Sequence, residues 1–502
     1  MKSPTWRQYS HAIINLTYKT MRMKKVFGLT FAVLLHFLNS YSQNIPSDAI
    51  KQFIDYNNPV IAFQHALLID GTGNNLLANQ TVIIKNGIIS WIGHDNKAQV
   101  PKEAQQIDMT GKALLPGLVP LHEHMYISAF PNTEMFLHLK QLPITFPKLY
   151  LAAGATTIRT AGSVEPYEDL KIKRDIEAGN MVGPAIDVTG PYLEGQIAFF
   201  PQMNQLKDSV EAVRFVNYWT DQGVTSFKAY VNIDKPTLKA AIDAVHKRKL
   251  KITGHLCSVT YKEAAELGID HLEHGFLVCT DFVNGKMENQ CPPESADNAL
   301  LNLDSESDTI RNLIQLLINK KIGVTSTLAV FEGYIPTGQV LSQNVLDFFA
   351  PDSREYYLNE FARNKSLPPN EVMGKMFLKA AKMEKMFYDA GGLLTVGTDP
   401  TGNGGVLAGF GTWRAIELLV EADGFSPLQA IKIATLNGAV ALKLDKKIGS
   451  LEVGKQADLI IVDGDPSKNI SDIRKISVVF KNGIGYSSKR LFESVKGKVG
   501  FY

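Results

Sequence analysis

The stretch Leu114-Leu115-Pro116-Gly117-Leu118-Val119-Pro120-Leu121-His122-Glu123-His124 decides how the rest of this chain is read. An apolar run ending in two histidines one residue apart is the pattern of a buried strand that opens onto a polar site. Successive residues of an extended chain face opposite sides, so His122 and His124 would point the same way. Two imidazoles converging at a strand end can hold a divalent ion, and Zn²⁺ takes imidazole and carboxylate ligands readily. On its own His-x-His is a weak signal, because paired histidines also occur in cores and on surfaces.

Outward from this stretch, polar residues recur where other apolar runs end. Lys228 closes Ser226-Phe227, His255 follows Lys251-Ile252-Thr253-Gly254, His274 follows Ile269 to Glu273, and Asp399 follows Leu394-Thr395-Val396-Gly397-Thr398. Between the runs lie stretches of helical period, such as Leu238 to His246 and Ala415 to Val420. Strand and helix alternation sustained over roughly 320 residues predicts an α/β fold, a (β/α)8 TIM-like barrel, whose strand ends carry the reactive groups. Four histidines, a lysine and an aspartate at recurring strand ends are hard to account for as packing.

Both flanks of that region read differently. Val60 to Ala113 alternates in short apolar runs punctuated by Asp70-Gly71-Thr72-Gly73 and Lys85-Asn86-Gly87, and the same texture returns in residues 457–464 and 476–483. These are hairpin signals. They predict a small discontinuous β-sandwich built from both chain ends: a first part over 58–115, the barrel over 116–440, and a second part with a C-terminal tail over 441–502. Residues 43–57 form an N-terminal arm. Two segments, Gly285–Asp308 and Phe331–Ala390, exceed the usual connections and are expected at the mouth of the barrel. The second suits a homo-oligomer interface.

At the amino terminus Arg22, Lys24 and Lys25 precede the apolar run Val26–Leu35, which fades into Ser40-Tyr41-Ser42-Gln43. This is the layout of an export signal cleaved near Ser42, with Met23 as a second candidate start, so residues 1–42 stand apart from the fold. Export to the periplasm or beyond is expected, with no stable membrane anchor after cleavage. With 52 Lys and Arg against 50 Asp and Glu among 502 residues, the formal charge is only +2, which speaks against a nucleic-acid partner. A hydrophobic share of 45% excludes disorder over most of the chain. Three cysteines make no disulfide framework. Cys279 and Cys291 bound a loop and could pair, leaving Cys257 free; the simpler reading is three small buried hydrophobes.

Taken together, Pro116-Gly117-Leu118 running into His122-Glu123-His124, Gly154-Ala155-Thr156-Thr157-Ile158-Arg159, Glu273-His274-Gly275, Gly397-Thr398-Asp399, Ala434-Thr435-Leu436-Asn437-Gly438 and Gly449 to Leu459 resemble the amidohydrolase superfamily. The likeness covers about residues 58–485 and is nearest to its imidazolonepropionase-like and Xaa-Pro dipeptidase-like branch. It implies His122, His124 and Asp399 around one metal, His255 and His274 around a second, and Lys228, carboxylated by CO₂, as the bridge. It implies two Zn²⁺ per chain and a water, deprotonated between them, that attacks an amide carbonyl. Asp399 would shuttle the proton to the leaving nitrogen. Tyr230 and His138 stand nearest to the positions that approach substrate in that branch. Arg159 would meet a substrate carboxylate or be a buried structural arginine, and Tyr192, Phe199 and Phe200 would wall an apolar pocket. The resemblance departs at Pro120, where the family usually has Asp. The expected substrate is a dipeptide, Xaa-Pro or related, or an N-acyl amino acid. A single-metal cyclic amide hydrolase or deaminase is the alternative, and a non-catalytic binding scaffold a more distant one.

Overall fold

In the computed structural model, the stretch from Leu114 to His124 is not the single strand that its apolar run predicts. Ala113–Pro116 is a strand of a mixed sheet, antiparallel to Leu459–Val462. Beyond it, Pro116 and Pro120 lack donors for a continuous ladder, and the main chain changes partner almost residue by residue. Gly117 donates to the Asp458 carbonyl at 3.0 Å, Leu118 to Gly154 at 2.9 Å, Val119 to Ala434 at 2.8 Å and Leu121 to Val396 at 2.9 Å. His122 and His124 therefore sit on an irregular segment that crosses from the mixed sheet into a parallel α/β array. The structure describes residues 47–500, apart from 75, 130–137, 199, 294–298, 336–342, 367–370 and 401–405. The expected export signal, Phe199 and parts of both long insertions lie outside the described residues.

Five strands of the array, Ser226–Ala229, Lys251–Gly254, His271–Glu273, Gly323–Ser326 and Leu394–Val396, pair in that order and all in parallel. Thr157–Arg159 pairs in parallel with Ala185–Asp187, and a bridge from Thr189 to Ser226 joins that pair to the five. The segment carrying the histidines bridges Ala155 and Thr160 on one side. On its other side the His122 carbonyl accepts from the Thr398 and Asp399 amides at 3.1 and 2.8 Å. Helices Pro166–Glu177, Ser209–Gln222, Lys235–Lys247, Tyr261–Leu267 and Asp308–Asn319 lie between consecutive strands. Their starts are written locally: Asp208 accepts from the Glu211 amide, Asp234 from Thr237, and Thr260 with Glu263 forms a reciprocal capping box. The amphipathic stretch near residue 370 forms the helix Glu371–Asp389.

Among the described residues the mixed sheet has nine strands, taken from both ends of the chain. Its order runs Ile54–Tyr56, Ile484–Ser487, Ile476–Lys481, Leu459–Val462, Ala113–Pro116, Val60–Leu68, Leu77–Lys85, Ile88–His94, with Gln105–Asp108 parallel to Val60–Leu68. Two Asn-Gly hairpins, Asn86-Gly87 and Asn482-Gly483, have positive φ at both residues, as a two-residue turn matched to strand twist requires. Phe63, Val82, Leu114, Leu459, Ile461 and Phe480 form the core of this sheet. Ile158, Phe227, Ile252, Leu272, Val324 and Leu394 belong to the larger core of the parallel array.

The cysteine expectation is corrected. Cys257 and Cys291 form the disulfide, with Cα atoms 4.9 Å apart, and Cys279 is the free thiol, buried beside Asp281. The reason is tertiary: the segment after His274 folds back across the strand end at Cys257. Thr280 Oγ1 donates to the Cys257 carbonyl at 3.1 Å and Lys286 Nζ to the Ser258 carbonyl at 2.5 Å. Among the described residues no helix is long and apolar enough to cross a membrane.

Phe480 is fully buried, edge-on to Phe63 at 5.0 Å and stacked on Tyr56 at 5.8 Å. Phe480→Ala is expected to cost about 3–5 kcal/mol, read as a lower midpoint in urea unfolding.

Candidate active site

His122, His124, Lys228, His255, His274 and Asp399 meet at the strand ends of the parallel array. His124 Nε2 lies 3.0 Å from Asp399 Oδ1, and His122 Nε2 lies 3.8 Å from the same oxygen. Lys228 Nζ is 3.1 Å from His122 Nε2. His274 Nδ1 is 4.0 Å from Asp399 Oδ2 and 2.8 Å from Thr327 Oγ1. The His255 ring packs against His274 with centroids 4.2 Å apart and against Tyr230 at 5.0 Å. One ligand atom from each of His122, His124 and Asp399 falls within 4.8 Å of the others, a spacing that can hold an ion. Asp399 is the most open of these three, with its side chain 16% exposed against 1% and 2% for the two histidines.

The residue that orders this cluster is Glu273. Its Oε2 accepts from His122 Nδ1 at 2.7 Å, which fixes the tautomer and leaves the Nε2 lone pair turned toward Lys228 and Asp399. Its Oε1 accepts from Arg159 Nη2 at 2.6 Å and from Thr253 Oγ1. Pro120 offers no side-chain acceptor, and Glu273 is the carboxylate bonded to the His122 ring. It also corrects Arg159. That side chain is 3% exposed and spent on Glu273 and on the Leu121 carbonyl at 3.0 Å, so it is a buried structural arginine and not a substrate contact.

Two ligand candidates sit in left-handed backbone, His274 at φ 67° and Asp399 at φ 53°. Non-glycine residues leave that region unless their surroundings enforce it. In extended chain Glu273 and His274 would face opposite sides. The turn at His274 breaks the alternation, so that both reach His122, the two rings having centroids 4.5 Å apart. Gly397 is dictated by contact: a Cβ there would lie 2.2 Å from His122 Cβ and 2.6 Å from its amide nitrogen.

Burial sets the charges. It pushes His122 down to about 4 and His255 down to about 3, Lys228 adding to both, so these imidazoles are neutral near pH 7. His124 and His274 are lowered for the same reason. Burial alone would raise Glu273 and Asp399, but Arg159 and His122 outweigh it for the first, and His122, His124 and Lys228 for the second, so both stay ionised. Lys228 is lowered by burial to about 8, which leaves a usable neutral amine fraction near pH 7. Neutral imidazoles and an ionised carboxylate converging on one point are the donor set that a divalent ion takes.

An aromatic wall adjoins the cluster. Tyr192 and Tyr230 stand 4.7 Å apart, each with Lys228 Nζ 5.7 Å from its ring, and Phe200 and Met203 pack with them. The Tyr126 hydroxyl lies 2.6 Å from that of Tyr192, and the Tyr126 ring lies 4.6 Å from His124. His138 lies on the strand His138–Gln141, paired with Ala129; its side chain is outside the described residues. Sequence reasoning missed Glu273, Thr327 and Tyr126. Only Glu273 had a visible signal, as a carboxylate on an otherwise buried strand directly before His274.

A model of the Amidohydrolase family matches residues 113–485. The chain belongs to the amidohydrolase family. An imidazolonepropionase of Picrophilus torridus is 47% identical over 432 residues, covering 83% of this chain and 95% of that protein. Among solved structures, a Xaa-Pro dipeptidase with bound methionine in its active site superposes with a TM-score of 0.62 at 20% identity, over 85% of this chain and 100% of that one. A bottromycin amidohydrolase gives 0.64 at 16% identity, over 90% and 95%. At those identities the structures speak for the fold alone, a TIM-barrel-like α/β domain. As an amidohydrolase the protein is an enzyme that hydrolyses carbon–nitrogen bonds.

Glu273→Gln leaves the Arg159 cation buried and unpaired and frees the His122 ring. It is expected to destabilise the fold by about 3–5 kcal/mol in urea unfolding and to weaken Zn²⁺ binding about 10–100-fold in a chelator competition. A second expectation concerns pH. Glu384 packs behind Gly275, and burial raises its carboxyl to about 8. The folded chain then holds a proton that the unfolded chain has lost above about 4.5, so the contribution of this one group to stability falls as pH rises from about 4.5 to 8, by at most about 1.4 kcal/mol per pH unit. Glu384→Gln should flatten that slope in urea titrations across this range.

Proposed function

We propose that this amidohydrolase cleaves the amide bond of a small substrate, a dipeptide of the Xaa-Pro kind or an N-acyl amino acid, at a binuclear site inside a closed ring of eight parallel segments. The observation that carries the reading is Lys228: fully buried, 3.1 Å from His122 Nε2, and grouped with the histidines and Asp399 where a carboxylated lysine would bridge two ions. His122, His124 and Asp399 would hold one ion, and His255 and His274 the other. Bound divalent ions would supply Lewis acidity to the substrate carbonyl and acidify a water.

The chain's own residues then have defined work. Asp399, ionised and the most open of its group, takes the proton from the attacking water and delivers it to the leaving nitrogen, because an amide nitrogen departs only when protonated. Glu273 holds the His122 ring in one tautomer throughout. Tyr230 and Tyr192 present an apolar wall that orients the substrate and excludes water on that side. The Cys257–Cys291 disulfide suits an oxidising compartment and supports export of the mature chain.

A second reading, hydrolysis of a cyclic amide at one metal with Lys228 unmodified, is favoured by the 47% identity to an imidazolonepropionase. Metal content by plasma emission, with turnover of dipeptides, N-acyl amino acids and a cyclic imidazolone amide, separates the two. Two metal equivalents and dipeptide or N-acyl amino acid turnover bear out the first reading; one equivalent with cyclic amide turnover replaces it by the second. Chelation is expected to abolish activity and added zinc or manganese to restore it, and full activity after demetallation would sink both readings. Asp399→Asn is expected to lower kcat by about 10²–10⁴-fold.

A further inference from the structure

Two fully buried tyrosines, neither of them part of the mechanism above, stand behind the ligand cluster. Tyr150 lies near the end of the helix Thr145–Ala152, and Tyr261 opens the helix Tyr261–Leu267. The Tyr150 hydroxyl donates to the His124 carbonyl at 2.7 Å and accepts from the His124 amide at 3.2 Å, so one atom holds both main-chain polar groups of that residue. The Tyr261 hydroxyl lies 2.9 Å from the carbonyls of Glu273 and of Gly275, the residues on either side of His274. We propose that Tyr150 and Tyr261 are positioning residues that fix the main chain of two metal ligands, His124 and His274. The inference rests on the metal-ligand reading of those histidines.

The need for such clamps follows from what each ring lacks. His122 is set by the carboxylate on its Nδ1, whereas Nδ1 of His124 has no carboxylate or other side chain bonded to it and only the Gly162 main chain beside it. The aim of His124 Nε2 therefore depends on where its backbone is held. His274 has Thr327 on its ring, but its left-handed main chain must be enforced from outside. A phenol reaches far with only two torsions, so it transmits the position of its helix faithfully.

Both helices are themselves anchored. The Ala152 carbonyl accepts from Ser488 Oγ at 2.7 Å and the Ala153 carbonyl from Trp413 Nε1 at 2.9 Å. The Asp281 carboxylate accepts from the amides of Tyr261 and Lys262 at 2.7 and 2.8 Å. Residues outside the two helices, Trp413 and Ser488 for the first and Asp281 for the second, thus set where the two hydroxyls stand.

The test compares the full mature chain with Tyr150→Phe and Tyr261→Phe, which remove one oxygen each. Zn²⁺ alone is the probe, with affinity read by chelator competition and thermal midpoints read with and without Zn²⁺. Each variant is expected to bind Zn²⁺ about 10–100-fold more weakly, and the rise in midpoint on adding Zn²⁺ should shrink accordingly. A merely structural role would lower both midpoints equally and leave the zinc-induced rise intact; that result overturns the proposal. A wild-type chain that binds no Zn²⁺ removes the metal reading and the proposal with it, whereas wild-type binding matched by both variants removes the proposal alone. Amide hydrogen exchange on the unsubstituted chain gives an answer even where a variant fails to fold. The His124 amide should exchange as slowly as that of Leu121, and fast exchange there overturns the Tyr150 clamp.

Discussion

The buried carboxylate of Glu273 ties the site to the fold. It carries one full charge in a fully buried place and is balanced by Arg159 on one oxygen and by the His122 ring on the other. An unbalanced carboxylate there would cost several kcal/mol, so each of the three partners is needed by the other two. Arg159 comes from the strand Thr157–Arg159, Glu273 from His271–Glu273, and His122 from the irregular segment after Pro120. The same contact that neutralises the charge ties together three separate pieces of chain and fixes the tautomer of His122. Stability and chemistry are coupled at this point because they use the same atoms.

Around that anchor the cluster is assembled by departures from regular structure. Regular strands would give alternating side chains and could not send Glu273 and His274 to the same place. The left-handed backbone at His274 and Asp399, and the bare Cα of Gly397 against His122, are where regularity is given up so that donors can converge. Such positions hold only when over-determined, and here they are: His274 by Thr327 and the main chain around it, Asp399 by the hydrogen bond from its amide to the His122 carbonyl. The histidines are kept neutral by burial, while the two carboxylates are kept ionised by nearby cations and ring protons. The site is thereby set to receive positive charge.

The mixed sheet contributes at a distance. Leu459–Val462 and Ala113–Pro116 are adjacent strands from opposite ends of the chain, and the segment bearing His122 and His124 leaves directly from the second of them. Gly117 and Val119 are then held by Asp458 and Ala434, so the entry of the histidine segment into the parallel array is set by residues more than three hundred positions downstream. The Cys257–Cys291 disulfide holds the segment beyond His274 against the strand end that carries His255.

The sequence by itself determined the parts whose signals are local. Alternating strand and helix periods, the two Asn-Gly hairpins, and a histidine, lysine or aspartate at several of the strand ends are all legible in a few consecutive residues, because period, turn chemistry and residue type are properties of short segments. What only the tertiary structure decided is who faces whom. Arg159 meets Glu273 and not a substrate, Cys291 meets Cys257 and not Cys279, and the apolar run from Leu114 is shared between two sheets. None of these follows from spacing along the chain, because each partner is chosen by where separate elements come to rest. Glu273 and His274 adjoin in sequence, yet a single backbone angle imposed by their surroundings brings both to the same point.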